Sequence, residues 1–217
     1  MIIAIDGPSG AGKGTVARRV ARALGYRYID TGAMYRAVAW LALERGVRLS
    51  DEASMASLAE RATFLIEADK VAIDGHDVTR NIRTPRIDEA AAAVAGLAAV
   101  RAVLVARQRL CGRGGNVVME GRDIGTTVFP HADVKFYLDA SPDVRARRRA
   151  SDPAHGGQGR DVAQVATALD ARDAADRTRT ASPLLKAKDA ILIDTTDMTI
   201  DGAVSEVLSL VNAQATS

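Results

Sequence analysis

The stretch IIAIDGPSGAGKGTVARRVARALG, residues 2–25, contains three structural signals in succession. The apolar run from Ile2 to Ile5 is typical of a strand buried on both faces. A glycine-rich loop follows directly, and the residues after it have apolar positions at helical spacing up to Gly25. Strand, glycine-rich loop and helix in this order are the setting in which the pattern G-x-x-x-x-G-K binds phosphate.

The loop at residues 7–15 is suited to binding the phosphates of a nucleotide. Its backbone N–H groups can surround an anion, and its glycines let the backbone curl without side-chain clashes. The helix that begins near Lys13 adds its positive N-terminal end, and the lysine reaches the β- and γ-phosphates. We therefore predict that ATP binds to Gly7, Pro8, Ser9, Gly10, Ala11, Gly12, Lys13, Gly14 and Thr15.

The residue after the lysine is unusual for a loop of this kind. GTPases and motor ATPases have a Ser or Thr there, whose hydroxyl binds Mg²⁺, whereas this chain has Gly14 and a hydroxyl one residue later, on Thr15. The spacing resembles the G-x-G-K-G-T variant of nucleoside monophosphate kinases. That resemblance implies that ATP phosphates and water hold the Mg²⁺, with Thr15 or Glu120 as indirect partners and no direct protein ligand.

Composition limits the possible classes of protein. The chain has 217 residues, 47% of them hydrophobic, which is enough to bury the core of one domain with inserts. A net charge of +2 is too balanced to indicate a nucleic-acid-binding surface, and the single cysteine, Cys111, excludes a disulfide framework. The chain opens with no basic leader and has no apolar run long enough to cross a bilayer. We expect a cytoplasmic monomer without membrane or nucleic-acid partners.

The rest of the chain alternates between strands and helices, which predicts an α/β fold: a parallel sheet with helices on both faces. Further helices are predicted from Thr31, near its N-cap, to Gly46 and from Ser50 to about Ala62. The stretch from Thr63 to Thr79 reads as a small antiparallel hairpin inserted into the alternating pattern. Further strands are predicted at residues 28–30, 116–120, 134–139 and 190–194, and a mobile glycine-rich loop at 150–161.

Three groups of charged residues are candidates for binding a second phosphate compound. Arg36 lies on the helix after the second strand. Arg122 and Asp123 follow the strand at 116–120, and ligands bind at the carboxyl ends of parallel strands. Arg172, Asp176 and Arg179 have the spacing i, i+4, i+7, which would place them on one helix face. Such arginines could stabilise the charge that spreads over a phosphoryl group during transfer.

Six segments together resemble bacterial cytidylate kinases. They are IDGPSGAGKGT, DTGAMYR, EGRDIGTTVFP, VKFYLDAS, RDAADRTR and SPL, and they occur in the family's order over about residues 2–212. The resemblance implies a core of five parallel strands with a lid and an enlarged acceptor domain. It assigns the core to residues 1–30, 97–148 and 178–217, the acceptor domain with its β insert to 31–96, and the lid to 149–177.

The resemblance also implies roles for individual residues. Catalytic roles would fall to Lys13, Arg122, Arg172 and Arg179. The arginines at 145 and 147–149 would lie on the lid side and contact ATP, with Arg148 assigned to the ATP site. The family often has a Ser in the helix before Arg101, where this chain has alanines at 90–93, so one base contact is in question. The acceptor nucleotide would be bound by Thr31, Arg36, Arg101, Arg122, Asp123, Arg172, Asp176 and Arg179.

The expected activity is ATP-dependent phosphorylation of CMP and dCMP, with Mg²⁺. Three alternatives remain open at this stage. The acceptor could be AMP, UMP or shikimate; the chain could be a switch that hydrolyses nucleotide; or it could bind nucleotide without catalysis. The absence of an Asn-Lys-x-Asp string, which reads guanine in GTPases, and the three arginine groups argue against the switch.

Overall fold

The computed structural model describes residues 1–152 and 161–215. The predicted glycine-rich loop at 150–161 therefore falls largely outside the described residues. The strands are β1 (Ile2–Asp6), β2 (Arg27–Asp30), β3 (Phe64–Ile66), β4 (Val71–Ile73), β5 (His76–Asp77), β6 (Val117–Gly121), β7 (Val134–Asp139) and β8 (Ile191–Asp194). The helices are α1 (Lys13–Leu24), α2 (Thr31–Glu44), α3 (Glu52–Arg61), α4 (Pro85–Gly96), α5 (Ala98–Cys111), α6 (Pro142–Ala150), α7 (Val162–Thr178) and α8 (Ile200–Ala215).

Five strands form one sheet in the order β2-β6-β1-β7-β8, and every neighbouring pair is parallel. The central strand β1 is apolar from Ile2 to Ile5 because helices cover both faces of the sheet, and it ends at the buried Asp6. Its register places Ile5 opposite Glu120, and Asp30 at the end of β2 is also opposite Glu120. The five-stranded parallel sheet expected from the sequence is confirmed.

The buried apolar residues form separate clusters. One face of the sheet packs against α1 and α8, for example through Val16 and Val207. The other face packs against α5 and the π-helical turn Ile124–Val128. The helices α2, α3 and α4 form a further core with β4, and α6 packs against α7 in a small cluster around Ala146 and Leu169. The cleft described below lies among these parts.

The insert and one helix start differ from the prediction. The insert is a three-stranded antiparallel sheet in the order β3-β4-β5, because the chain turns a second time at Asp74 and Gly75, both with positive φ. The N-cap of α3 is Asp51, one residue after the predicted Ser50. The start of α2 agrees with the prediction: Thr31 follows the N-cap Asp30, whose carboxylate accepts a bond from the Ala33 N–H.

Within residues 1–152 and 161–215, no single helix is long and apolar enough to cross a membrane. Only α4 and α5 taken together reach such a length and composition, and they are bent by 96° at the break between them. Both helices contribute buried side chains to the core that contains α2, including Ile87 and Leu104.

Candidate active site

The carboxyl ends of β1, β2 and β6 bring three separate segments to one edge of the sheet. The glycine-rich loop follows β1, α2 follows β2, and Arg122 and Asp123 follow β6. One cleft of about 840 Å³ runs along this edge. Of the predicted site residues, it is lined by Ser9, Gly10, Ala11, Gly12, Lys13, Gly14, Thr15, Thr31, Arg36, Arg101, Glu120, Arg122, Asp123, Arg148, Arg172, Asp176 and Arg179.

Two of the predicted ATP residues, Gly7 and Pro8, do not line the cleft. Gly7 has a φ of +144°, and a Cβ there would lie 1.9 Å from the carbonyl oxygen of Leu138, so only glycine fits. Gly7 thus packs the loop against β7, and the carbonyl of Pro8 accepts a hydrogen bond from Lys13. The loop's backbone N–H groups were expected to face an anion. The N–H of Ser9 does not, because it donates a hydrogen bond of 3.2 Å to Asp173 Oδ1.

Lys13 lies over the loop, where its ammonium donates a hydrogen bond of 2.7 Å to the Pro8 carbonyl. The residue is buried, 5% exposed. Burial and the neighbouring charge of Arg122 lower the pKa of Lys13 to about 7. A phosphate bound in the loop would raise this pKa, so the lysine would gain a proton.

The absence of a side chain at Gly14 has a structural reason. A Cβ there would lie 2.9 Å from Glu120 Oε1, which accepts a hydrogen bond of 2.9 Å from the Tyr28 hydroxyl. Burial and the charge of Asp30 raise the pKa of Glu120. A Ser or Thr after the lysine would thus collide with a carboxylate that lines the cleft, and the exposed Thr15 carries the hydroxyl instead.

Arg122 connects the glycine-rich loop to α7. Its Nη2 donates to the Ser9 hydroxyl at 2.7 Å, and its Nε donates to Asp176 Oδ2 at 3.0 Å. Burial would raise the pKa of Asp176, but the charges of Arg122 and Arg179 outweigh it and leave the pKa below its usual value. Asp176 therefore stays ionised between two arginines.

Arg36 and Thr31 are held at the end of β2. Arg36 Nη2 donates to Asp30 Oδ2 at 2.8 Å, and this ion pair is mostly shielded from water. Burial would raise the pKa of Asp30, but the charge of Arg36 and the bond from Ala33 leave it below its usual value. The Thr31 hydroxyl donates to the Glu120 carbonyl at 2.7 Å and so fastens α2 to β6.

The three residues at the end of α7 do not share one helix face, as the spacing predicted. Arg172 and Asp176 are on the helix, but Arg179 is its C-cap, with ψ of 141°, and leaves the helical path. All three still reach the cleft. Burial and the charge of Arg122 lower the pKa of Arg172 to about 10, and burial and Arg101 lower that of Arg179. Several arginine guanidinium groups therefore lie close enough together in this part of the cleft to lower one another's pKa.

Arg101 and Asp123 form a buried ion pair at the far end of the cleft. Arg101 Nη2 donates to Asp123 Oδ2 at 2.6 Å, and its guanidinium lies 5.4 Å from the centre of the Tyr35 ring. The other carboxylate oxygen of Asp123 is 3.9 Å from Arg179 Nη2, a buried nitrogen without a hydrogen-bond partner among the described residues. Ala91 and Ala95 of α4 also line the cleft, and neither can hydrogen-bond through its side chain.

The α6 arginines have different environments, contrary to the expectation that all lie on the ATP side. Arg147 is exposed, while Arg145 is buried and donates to the carbonyls of Ala140 and Ser9 at 3.1 Å each and to the Asp173 carboxylate. Arg148 lines the cleft and donates to the Thr195 carbonyl at 2.6 Å. Arg149 also lines the cleft but pairs with Asp88, on the acceptor side.

Several residues that support or line the cleft were not predicted from the sequence. Asp173 is fully buried and joins the glycine-rich loop to α6 and α7, which local spacing cannot reveal because it depends on how the helices pack. Asp6 accepts backbone bonds from Ile124 and Gly125, and burial raises its pKa to about 7. Beside Arg148, the cleft is also lined by Thr195, Met198, Thr199, Ile200 and Ala203.

No group of three or more His, Cys, Asp or Glu side chains in residues 1–152 and 161–215 is arranged to hold a metal ion. Oxygen donors do line the cleft near Lys13, on Thr15 and Glu120. Such oxygens suit Mg²⁺, which usually keeps several waters and binds through substrate phosphates. The donor set therefore fits an ion that arrives with a nucleotide.

Sequence comparisons point to a single family. The family model described as cytidylate kinase matches residues 3–213. The chain is 48% identical over 212 residues to a cytidylate kinase of Desulforamulus reducens, with 96% of each chain covered. It is 47% identical over 216 residues to a cytidylate kinase of Pelotomaculum thermopropionicum, with 97% of this chain and 96% of that protein covered.

Comparison with solved structures supports the fold alone. A shikimate kinase from Bacteroides thetaiotaomicron superposes with a TM-score of 0.52 at 17% identity, and the match covers 98% of both chains. At that level of identity, the shared feature is the parallel sheet with its flanking helices.

Proposed function

Because the chain belongs to the cytidylate kinase family, we propose that it transfers the γ-phosphoryl group of ATP to CMP and dCMP, giving CDP and dCDP. One observation carries the proposal. A single continuous cleft joins the glycine-rich loop to the buried Arg101–Asp123 pair, with arginines between them. Two nucleotides could therefore meet with their phosphates facing each other.

The donor end would hold ATP through the loop from Ser9 to Thr15 and through Arg148. Lys13 would bind the phosphates where charge develops during transfer. Mg²⁺ would be held by the ATP phosphates and water, with Thr15 or Glu120 as indirect partners, and it would neutralise phosphate charge. The protein contributes the position of Lys13 and the N-terminal end of α1.

The acceptor phosphate would lie among the arginines at 36, 122, 172 and 179, all of which line the cleft. An acceptor phosphate is already an anion and a nucleophile, so the reaction needs no strong general base. The arginines would offset the negative charge of the phosphoryl group in the transition state. Their partial burial strengthens this electrostatic attraction. Asp176, held between Arg122 and Arg179, would accept from the pentose hydroxyls.

Base selection would rest on Asp123 and Arg101. Cytosine carries an N4 amine that donates, whereas uracil and thymine carry an accepting oxygen at that position. The Asp123 oxygen that does not contact Arg101, which lies 3.9 Å from Arg179 Nη2, would accept from the amine. An accepting oxygen opposite this carboxylate would leave two acceptors facing each other, so UMP should be a poorer substrate.

The decisive test is ADP release from ATP and Mg²⁺, measured across CMP, dCMP, UMP, AMP and shikimate. We expect rapid release with CMP and dCMP and slow release with the others. Preference for another acceptor would contradict the assignment of substrate. Release that does not depend on an acceptor would indicate a hydrolase, and no release at all would indicate a binding protein. The proposal includes a cytoplasmic monomer, which sedimentation and cell fractionation would test.

A further inference from the structure

The carboxylate of Asp88 joins parts of the molecule that are distant in sequence. Asp88 lies in the first turn of α4, on the acceptor side. Its Oδ2 accepts a hydrogen bond of 2.5 Å from Arg149 Nη2, at the end of α6. Its Oδ1 lies 3.8 Å from Arg172 Nη1, on α7. One side chain thus contacts both helices that flank residues 153–160.

These contacts are largely removed from water. The side chains of Asp88, Arg149 and Arg172 are 15%, 16% and 22% exposed. Exposed ion pairs contribute little because water and salt screen them, but a partly buried pair is screened much less. Asp88 Oδ1 is buried and accepts no hydrogen bond within the described part of the chain, so its charge is available to Arg172.

Asp88 differs from its two arginine partners in its position relative to the cleft. Arg149 and Arg172 line the cleft, whereas Asp88 does not. A guanidinium has five N–H donors in a fixed fork, and Asp88 accepts one hydrogen bond from Arg149 within residues 1–152 and 161–215. A guanidinium held in this way can still donate to an anion in the cleft.

The arginines in this region repel one another. Arg36 and Arg122 also line the cleft, and their charges act on Arg172. Arg36 and Arg122 have carboxylate partners of their own, Asp30 and Asp176. Asp88, which does not line the cleft, supplies the negative charge beside Arg149 and Arg172 and offsets their repulsion.

We propose that Asp88 is a positioning residue that holds Arg149 and Arg172 against the acceptor side, so that both are in place for phosphoryl transfer. The inference rests on the proposed function. The alternative is that the Asp88 carboxylate competes with the acceptor phosphate for the same arginines and so slows the reaction. Removing the charge of Asp88 would lower kcat in the first case and raise it in the second.

The test compares the parent chain with Asp88→Asn in steady-state kinetics with ATP and CMP. We expect kcat and kcat/KM for CMP to fall together by about 10-fold, because misplaced groups act mainly on the transition state. An unchanged or increased kcat would overturn the proposal. The matched control is Glu89→Gln, the next residue on α4 and exposed, which should leave both constants within about two-fold of the parent.

A double-mutant cycle tests whether Asp88 acts through Arg149. In an Arg149→Met background, Asp88→Asn should have a clearly smaller effect on kcat, since the shorter contact is already lost. A full, undiminished effect would contradict the proposal. A purely structural role for Asp88 would change the unfolding temperature without this dependence on Arg149.

A second substitution covers the case in which Asp88→Asn does not fold. Asp88→Glu keeps the charge but moves it by one methylene, so the chain should fold while the two arginines shift. We expect a lower kcat, and a parental kcat in a folded Asp88→Glu would overturn the proposal. Failure of the proposed function would be visible separately, because the parent chain itself would then not phosphorylate CMP.

Discussion

The two ends of the cleft are built in different ways. At the donor end, the backbone determines the shape: Gly7 is pressed against the Leu138 carbonyl, and Gly14 leaves room for Glu120. At the acceptor end, side chains form ion pairs, such as Arg101 with Asp123 and Arg36 with Asp30. Close backbone packing therefore determines the shape of the donor end, while the acceptor end holds carboxylates that can exchange partners with a substrate.

This difference separates the expected effects of mutation. A change at the donor end should reduce transfer to every acceptor equally, because all acceptors share the same ATP. A change at the acceptor end should alter which acceptor is used and how tightly it binds, with little effect on ATP. The following experiments test that division, beginning with the largest expected effect.

Lys13→Ala should reduce kcat by roughly 10²- to 10⁴-fold, the usual loss on removing one electrostatic contact to the transition state. The loss should be the same for CMP and dCMP, since Lys13 in the proposed mechanism acts on the donor phosphates and not on the acceptor. The measurement is steady-state ADP release with each acceptor, beside circular dichroism to verify the fold. Lys188→Ala, at an exposed lysine, is the control. Activity within a few-fold of the parent would contradict the role given to the loop.

Asp123→Asn should weaken CMP use while leaving ATP binding unchanged. Asn keeps the shape of the side chain but offers one acceptor oxygen and an NH₂ donor in place of two oxygens. The base contact is worth about 1–3 kcal/mol, so kcat/KM for CMP should fall by a factor of about 5 to 150. Titration calorimetry with each nucleotide would measure both affinities, with the exposed Asp170→Asn as control. A parallel fall in ATP affinity would indicate a structural role for Asp123.

Proton uptake should distinguish the two ends most directly. At pH 8, above the pKa of about 7, most Lys13 side chains in the empty cleft are neutral. Phosphate charge raises that pKa, so ATP binding should take up a fraction of a proton, at most about one from this group. Arg172, with a pKa of about 10, stays charged at pH 8, and CMP binding should take up none through it.

Calorimetry at pH 8 in two buffers of different ionisation enthalpy measures this uptake. The Lys13→Met variant is the control, and the uptake on ATP binding should decrease in it. Equal uptake in the parent and in Lys13→Met would show that the lysine is charged before ATP binds.

Local patterns predicted most of the scaffold and many of the cleft residues. The buried strand at residues 2–5, the glycine-rich loop and α1 follow from neighbouring residues, since apolar runs, glycines and helical spacing act within a few positions. The stretch at 63–79, predicted as a hairpin, is a three-stranded sheet, because the residues after the turn at Asp74 and Gly75 form a third strand of only two residues, which is too short to show an alternating pattern. Arg179 was placed on α7 by spacing alone, although the helix ends one residue earlier.

The fold class, the phosphate-binding loop and the family were predictable from the amino-acid sequence, because each depends on residues that are close together or in a fixed order. The pairing of charged side chains was not, because it depends on how distant elements pack. Asp173 joins Ser9 to Arg145, and Asp88 joins α4 to α6 and α7, across 61 residues in the case of Arg149. Such pairs arise from the packing of distant helices, and the removal of water there makes them strong.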